Sequence, residues 1–291
     1  FFGKDGDTSN IKKKLILNNK NYKHYSSDIR SYNKMKLIFK KFNNKIKLIV
    51  HCAAQPSHDW AKNEPETDFS INANGTLVLL ELFKKYCPKA VFIFLSTNKV
   101  YGDNPNKYNF KETKSRYILN KSHKYFKGFN ETLSIDNCIH SLFGASKLAA
   151  DSLVQEYGKN FNLRTVCFRA GCITGPNHAG AKLHGFLSFL VKQVISKKKY
   201  NIIGYKGKQV RDNIHSRDLI NCFWEFYKNP KFGEVYNIGG SKFSNCSIIE
   251  VLNILEKKLN IKIKKKYTHK NRVGDHKCYV SDITKFKKDY K

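Results

Sequence analysis

Apolar and polar positions alternate along the chain in two different periods, which predict strands and helices in turn. Three short apolar runs, at 46–52, 90–95 and 164–169, have the length and composition of buried strands in a parallel sheet. Between them, 69–86 and 141–157 carry apolar or small residues at helical spacing. Strands separated by helices of this length predict an α/β fold with a Rossmann-type, doubly wound parallel sheet.

The pattern changes after Gly175-Pro176, where the segments become shorter. Helical spacing recurs at 183–196, 216–227 and 248–259, and extended stretches recur at 200–203, 209–215 and 235–238. We therefore predict a large domain over 1–175 and a smaller, interwoven α/β lobe over 176–291. Ligands of open parallel sheets bind at the carboxyl edge of the strands, so we expect the lobe to cover a site at that edge.

One motif of dinucleotide-binding folds is missing from the sequence. A glycine-rich turn, GxGxxG, normally follows the first strand and brings backbone amides to the pyrophosphate. Here Gly3 and Gly6 lie in a polar stretch, and Gly204 and Gly207 precede an extended one. Either the fold is of another kind, or the chain begins after the first βα unit and also stops before its relatives do. The motifs described below favour the second interpretation.

Composition narrows the function class. The formal net charge is +31, but the 47 lysines are scattered rather than arranged in a stripe, and no nucleic-acid-binding motif accompanies them. We therefore expect a solvated basic surface that favours anionic ligands such as diphosphates, and no nucleic-acid partner. Eight cysteines without CxxC pairs indicate reduced, buried thiols and a cytoplasmic protein. No run of eighteen apolar residues is present, which argues against a membrane span.

Three polar blocks carry candidate chemistry. LSTNKVYGD ends the second predicted strand, HSLFGASK begins a predicted helix, and GKQVRDNIH forms an extended stretch of the lobe. Each block alone has an ordinary structural explanation: a strand cap, a helix with one lysine, and an internal salt bridge. Their order and spacing together favour a shared active site. His178 and His184 lack a spaced carboxylate or cysteine partner, so no metal site is predicted.

These blocks resemble the extended short-chain dehydrogenase/reductase family, and within it the nucleotide-sugar epimerases. STNKVYGD, Glu112-Thr113 with Arg116-Tyr117, GFNE at 128–131, GKQVRDNIH and YNIGG at 236–240 are similar to the family's motifs. The resemblance implies NAD-dependent epimerisation at C2 of a CDP-linked deoxysugar, through transient oxidation to a ketose. Alternatives are a 4-epimerase, a 4,6-dehydratase, or a binding protein with weakened catalysis. It also implies a homodimer that pairs the helices at 69–86 and 141–157.

The resemblance implies a role for individual residues as well. Thr97 matches the residue that hydrogen-bonds the reacting hydroxyl, and Lys147 matches the lysine that binds the ribose and lowers the pKa of a catalytic tyrosine. Arg211 and Arg272 match arginines that bind the diphosphate of the substrate. The implied cofactor-binding residues are Asp28, Ile29, Cys52, Ala53, Ala54, Asn72, Ser96 and Lys147, and the substrate-binding candidates are Thr97, Lys99, Cys172, His184, Arg211 and Arg272. Cys172 stands where the family usually has a polar residue that faces the substrate, and His178 and His184 could fill that place.

The sequence departs from the family pattern at Phe143. The family motif is YxxxK, and its tyrosine takes the hydroxyl proton, which a phenyl ring cannot do. Three interpretations stay open from the sequence. Another group, among them Lys99, His140, Cys172 and Tyr101, could act as the acid/base. The cofactor and sugar nucleotide could bind without the redox step, or water could assist through Thr97 at a much reduced rate.

Overall fold

The computed structural model describes residues 9–181, 185–269 and 271–290. The helices are α1 (Ser9–Asn18), α2 (Tyr32–Phe42), α3 (His58–Asn63), α4 (Pro65–Phe69), α5 (Gly75–Tyr86), α6 (Ser141–Asn160), α7 (Phe186–Ile195), α8 (Ser216–Lys228), α9 (Ile248–Leu259) and α10 (Thr284–Asp289). The strands are β1 (Leu48–His51), β2 (Val91–Thr97), β3 (Lys111–Glu112), β4 (Tyr117–Ile118), β5 (Arg164–Ala170), β6 (Cys172–Thr174), β7 (Tyr200–Ile203), β8 (Val210–His215), β9 (Glu234–Ile238), β10 (Asn245–Ser247), β11 (Lys265–Thr268) and β12 (Cys278–Tyr279).

A four-stranded parallel sheet in the order β1-β2-β5-β9 forms the centre of the large domain. Successive residues of β2 point to opposite faces: Phe92 and Phe94 pack with α2, α5 and α6, whereas Val91 and Ile93 pack with α8 and α10. Helices therefore cover both faces of the sheet, which confirms the predicted doubly wound α/β fold.

The second sheet belongs to the lobe and is built around β8. This strand pairs with β10 in the antiparallel sense and with β6 and β12 in the parallel sense. A parallel pair of β7 and β11 packs near α7 and α9 around a separate apolar core. Because β9, α8 and α10 return to the large sheet, the lobe is interwoven with it; the boundary at 175/176 itself stays a prediction.

Several elements differ from the sequence pattern for physical reasons. β2 continues through Ser96 and Thr97 because both pair with β5. The helix expected at 69–86 begins earlier, at α4, and passes through a π-helical turn, Ser70–Asn74, into α5. The helices α1, α2, α3 and α10 were not predicted; α1, for example, buries no residue, so it has no apolar stripe to detect. Across the described ranges, every helix is too short or too polar to cross a membrane.

Candidate active site

A cavity of about 640 Å³ lies at the carboxyl ends of β1, β2 and β5, between the large sheet and the lobe. Its volume is that of a site for a small organic ligand or cofactor. The parallel strands bring the chemistry of distant segments to one place, as the sequence predicted. Eleven of the candidate residues named from the sequence line this cavity, namely Cys52, Ala54, Ser96, Thr97, Lys99, Phe143, Lys147, Cys172, His178, Arg211 and Arg272.

The end of β2 is held by hydrogen bonds on two sides. Thr97 Oγ1 accepts the backbone N–H of Lys99 at 3.2 Å and so caps a 3₁₀ turn. Ser96 Oγ donates to Asp151 Oδ2 at 2.5 Å, and Asp151 also pairs with the buried guanidinium of Arg169 at 2.8 Å. Both residues line the cavity, but the hydroxyl of Ser96 donates to a buried carboxylate, whereas the hydroxyl of Thr97 accepts from the backbone of Lys99.

The first turns of α6 pack directly on that 3₁₀ turn. A Cβ placed on Gly144 would lie 2.9 Å from the carbonyl oxygen of Lys99, so a glycine is needed at this contact. The close approach brings Phe143 and Lys147 to the cavity. Lys147 Nζ donates to the Leu95 carbonyl at 2.9 Å and lies 4.0 Å from the centre of the Phe94 ring. Burial lowers the pKa of Lys147 to about 8, although Asp151 opposes the shift.

A cluster of charged side chains forms another part of the cavity wall. Lys99 Nζ donates to the Gly274 carbonyl at 3.0 Å and lies 3.5 Å from Asp275 Oδ1. Arg211 donates to the same carboxylate oxygen and to the His276 carbonyl. Burial lowers the pKa of Lys99 to about 8, while Asp275 opposes that shift. The pKa of Asp275 itself is held well below its usual range, because Arg211 and Lys99 outweigh its burial.

This wall carries more positive than negative charge. Lys99, Arg211 and Arg272 line it together with Asp275 and Asp59, and Arg272 Nη2 lies 3.6 Å from Asp59 Oδ2. Lys147 adds a further cation to the lining of the cavity. Paired guanidinium and ammonium groups of this kind suit an anion with several oxygens, such as a diphosphate.

His58 and Asp275 are cavity residues that the sequence reasoning missed. The His58 ring meets the Phe143 ring edge to face, with 4.8 Å between their centroids. A short distance along the chain from predicted site residues was the signal that could have identified them: His58 follows Ala54 by four positions, and Asp275 follows Arg272 by three. Neither spacing by itself identifies a site residue: His58 begins the short helix α3 and Asp275 lies in an irregular segment, and the pattern of apolar positions predicts neither.

Asn72 lies outside the cavity and connects two of its walls. Its side chain donates to the Gln55 carbonyl at 3.0 Å and to Ser146 Oγ at 3.0 Å, and its Oδ1 accepts the Gln55 N–H at 2.9 Å. Ser146 and Gln55 both donate to Asp68, at 2.5 and 2.6 Å. These four buried side chains tie the loop after β1 to α6, which is compatible with the supporting role that the family resemblance implies for Asn72.

Some of the predicted residues do not line the cavity. Asp28 pairs with Arg30 at the protein surface, and Ile29 packs against the start of α5 at Gly75. Ala53 and His140 are also absent from the wall, and His140 Nε2 lies 2.9 Å from the Val100 carbonyl. Tyr101 is fully buried, where it donates to Asn237 and accepts from Arg169. His184 lies outside the described residues.

Two further chemical properties limit what the cavity can do. Burial raises the pKa of the Cys172 thiol to about 12, so it lines the wall as a neutral group. All eight cysteines are free, and Cys87, Cys167 and Cys278 are buried as expected, whereas Cys52 is exposed. Among the residues that the structure describes, no three His, Cys, Asp or Glu side chains are grouped to hold a metal ion.

Comparison with protein families gives one match, which covers residues 5–239. The model that matches is described as the NAD dependent epimerase/dehydratase family. CDP-paratose 2-epimerase from Salmonella typhi is 32% identical over 274 residues, 91% of this chain and 78% of that protein. dTDP-D-glucose 4,6-dehydratase from Dictyostelium discoideum is 30% identical over 82% of this chain, which spans about half (51%) of that relative.

A solved structure is similar over nearly the whole chain. It is a tyrosine-to-phenylalanine mutant of UDP-glucuronic acid 4-epimerase from Bacillus cereus, in complex with UDP-4-deoxy-4-fluoro-glucuronic acid and NAD. The sequences are 27% identical, and the match covers 98% of this chain and 80% of the other with a TM-score of 0.73. That protein contains a dinucleotide and a sugar nucleotide together, on a fold that this chain shares.

Proposed function

Because the chain belongs to the NAD dependent epimerase/dehydratase family, we propose that it is a nucleotide-sugar epimerase that inverts C2 of a CDP-linked deoxysugar. The family is NAD dependent, and NAD is the cofactor. One observation carries the proposal: Thr97 and Lys147 line the same cavity as the cations Arg211 and Arg272. Hydroxyl chemistry and diphosphate binding are thus available at one site.

Residues at the ends of β1 and β2 fit the nicotinamide half of NAD. Cys52 and Ala54 are small side chains of the cavity wall, and Lys147 provides an ammonium donor for the ribose hydroxyls. NAD bound there would supply the acceptor and donor of the hydride for the sugar carbon. Asp28 and Ile29 stay candidates for contacts with the adenine, since they lie near the start of α5 on the same face of the sheet as α2.

The diphosphate of the sugar nucleotide is assigned to the charged wall. Arg211 and Arg272 supply planar guanidinium groups, which bind phosphate oxygens in pairs. The choice of a CDP-linked deoxysugar is supported by the relative from Salmonella typhi. Apolar residues complete the wall next to these cations, among them Ile173, Phe186 and Leu187.

Lys99 is the best-supported acid/base in the absence of a tyrosine at 143. It lines the cavity, follows Thr97 by two residues, and has a pKa lowered to about 8 by burial. A general base works best when its pKa lies near the working pH. The neutral amine accepts the proton of the C2 hydroxyl, and the resulting ammonium returns it to the oxygen. His140 lies outside the wall and Cys172 holds its proton too tightly for this role.

Two other functions have specific support. A dehydratase is favoured by similarity to the relative from Dictyostelium discoideum, but Asn98-Lys99 follow Thr97 where dehydratases carry an acidic pair. A binding protein with weakened catalysis is favoured by Phe143, since the Bacillus cereus mutant, which carries a tyrosine-to-phenylalanine substitution, was solved in complex with NAD and UDP-4-deoxy-4-fluoro-glucuronic acid. Turnover measurements separate both from the epimerase.

The test is turnover of CDP-paratose by the purified chain with added NAD. We expect conversion to the C2 epimer, detected by NMR of the sugar. Lys147→Met should lower kcat/KM by about 100-fold and weaken NAD binding in equilibrium dialysis, whereas Lys159→Met, at the exposed end of the same helix, should change neither beyond about twofold. NAD binding without turnover would support the binding protein, and turnover at C4 of another sugar nucleotide would overturn the assignment to C2.

A further inference from the structure

His58 presents one free ring nitrogen at the cavity. The residue lies in the cavity wall at the start of α3, with its ring edge-on to Phe143 at an interplanar angle of 65°. Its Nδ1 lies 2.8 Å from Ser141 Oγ on α6. No group within the described ranges forms a hydrogen bond with Nε2. One nitrogen is therefore held by the protein, and the other is available to a ligand.

The hydroxyl of Ser141 determines which nitrogen of His58 carries the proton. Ser141 Oγ accepts the backbone N–H of Gly144 at 3.3 Å, which leaves its single hydrogen to be donated. In the part of the chain that the structure describes, His58 Nδ1 is the acceptor at hydrogen-bond distance from that hydroxyl. Donation from Ser141 to Nδ1 places the ring proton on Nε2, whereas the other tautomer would leave the serine hydrogen without an acceptor.

The surroundings of His58 keep its ring neutral. Burial lowers the pKa of His58 to about 3, and the charges of Lys99, Arg272 and Arg211 act in the same direction, while Asp275 opposes them. The imidazole is therefore uncharged over the whole range in which the enzyme would work. A neutral ring with its proton on Nε2 is a hydrogen-bond donor toward the cavity and does not compete with Lys99 for the transferred proton.

We propose that His58 donates an Nε2–H hydrogen bond to the reacting oxygen of the sugar, beside the position where Phe143 lacks a hydroxyl. The inference rests on the proposed function of the site. A donor aimed at an oxygen that gains negative charge in the transition state contributes more there than in the ground state. Lys99 would move the proton, and His58 would stabilise the charge, so the two parts of a tyrosine's task are divided between two residues.

The tautomer can be tested without any turnover, by NMR of the chain labelled with ¹⁵N at its ten histidines. We expect the His58 signal, assigned by its loss in His58→Gln, to show a protonated Nε2 and to stay unchanged between pH 5 and pH 8. Ser141→Ala should populate the other tautomer. A protonated Nδ1 in the unmodified protein, or titration of His58 near pH 6, would overturn the inference.

The kinetic test compares two substitutions of the same residue. His58→Leu should lower kcat by about 100-fold, while His58→Gln, which keeps a donor, should stay within about tenfold of the unmodified protein. The KM for the sugar and the Kd for NAD should change by less than about threefold in both, as in the control His24→Leu at an exposed position. Normal kcat in His58→Leu would overturn this inference alone. Lack of turnover by the unmodified chain would overturn the proposed function, and the inference with it.

Discussion

Gly144 of α6 lies against the carbonyl oxygen of Lys99, so closely that a Cβ at Gly144 would stand 2.9 Å from it. The next nearest atom, the Cβ of His140, would be 3.3 Å away. Backbone atoms and the Cβ of a side chain cannot easily move aside. The helix and the 3₁₀ turn therefore approach each other at a distance that only a glycine at 144 permits. The contact sets how Phe143 meets the segment that carries Thr97.

Gly144→Ala should therefore destabilise the protein and impair the site. Alanine favours a helix by about 1 kcal/mol over glycine, but forcing extra volume into a packed contact costs about 1–3 kcal/mol. We expect the free energy of unfolding in urea to fall by about 1 kcal/mol. We expect kcat/KM to fall as well, because the contact positions Phe143 against the segment that carries Thr97. Ser152→Ala, at an exposed position of the same helix, is the control. An unchanged unfolding midpoint for Gly144→Ala would contradict the steric argument.

The buried pair of Asp151 and Arg169 should be costly to break. Asp151 is fully buried and accepts from both Arg169 and Ser96, so Asp151→Asn leaves a buried guanidinium without its counter-charge. We expect a loss of about 3–5 kcal/mol in the free energy of unfolding. The double substitution Asp151→Leu with Arg169→Leu removes both charges and should cost less. If Asp151→Asn lowered the free energy of unfolding by less than the double substitution, this account would be wrong.

Phe143→Tyr tests whether the site has lost its base or replaced it. If Lys99 takes the proton, a new phenol beside His58 adds little, and we expect kcat to stay within about threefold of the unmodified protein. Lys99→Met should then lower kcat by about 100-fold in either background. If kcat instead rose by about tenfold or more in Phe143→Tyr, the site would have lost its base at position 143 without a replacement.

The pH profile should report both cavity lysines, since burial lowers the pKa of each to about 8. Lys99 acts as a base in its neutral form, so the rate rises with pH up to its pKa. Lys147 acts as a cation, so the rate falls as pH rises above its own pKa. We expect a bell-shaped dependence of kcat/KM centred near pH 8. Lys147→Arg, which stays charged, should remove the descending limb; a profile that is flat from pH 6 to 10 would contradict both assignments.

The large sheet was predictable from the sequence because its strands are buried on both faces. The run 90–95, which includes most of β2, is apolar at every position. The reason is that Phe92 packs in the core on one face of the sheet and Ile93 packs in the core on the other face. By contrast, α2 was not predicted, although Met35 and Phe39 are buried at helical spacing and Ile38 packs against the same core. The short strands β6, β10 and β12, which were not predicted, each pair with β8.

Within the site, the sequence was informative where residues fall in motifs on regular elements. Thr97 at the end of β2 and Lys147 on α6 were named from their blocks, and both line the cavity. His58 and Asp275 sit in segments without such a block, and their importance comes from what lies next to them in space. Asp275 matters because it stands between Lys99 and Arg211, a relationship across 176 and 64 positions of sequence that no local pattern encodes.

The four hydrogen-bonded side chains Gln55, Asp68, Asn72 and Ser146 restrict how this pocket can diverge among related enzymes. Each of the four residues is hydrogen-bonded to at least two of the others, with Gln55 bonded to Asn72 through its backbone. Replacement of Asp68, Asn72 or Ser146 therefore leaves buried partners without hydrogen bonds. Mutation is tolerated more readily where apolar side chains such as Phe186 and Leu187 supply the surface. We therefore expect related enzymes that act on other substrates to differ mainly in the lobe residues of the cavity, and to keep the residues around His58 and Phe143.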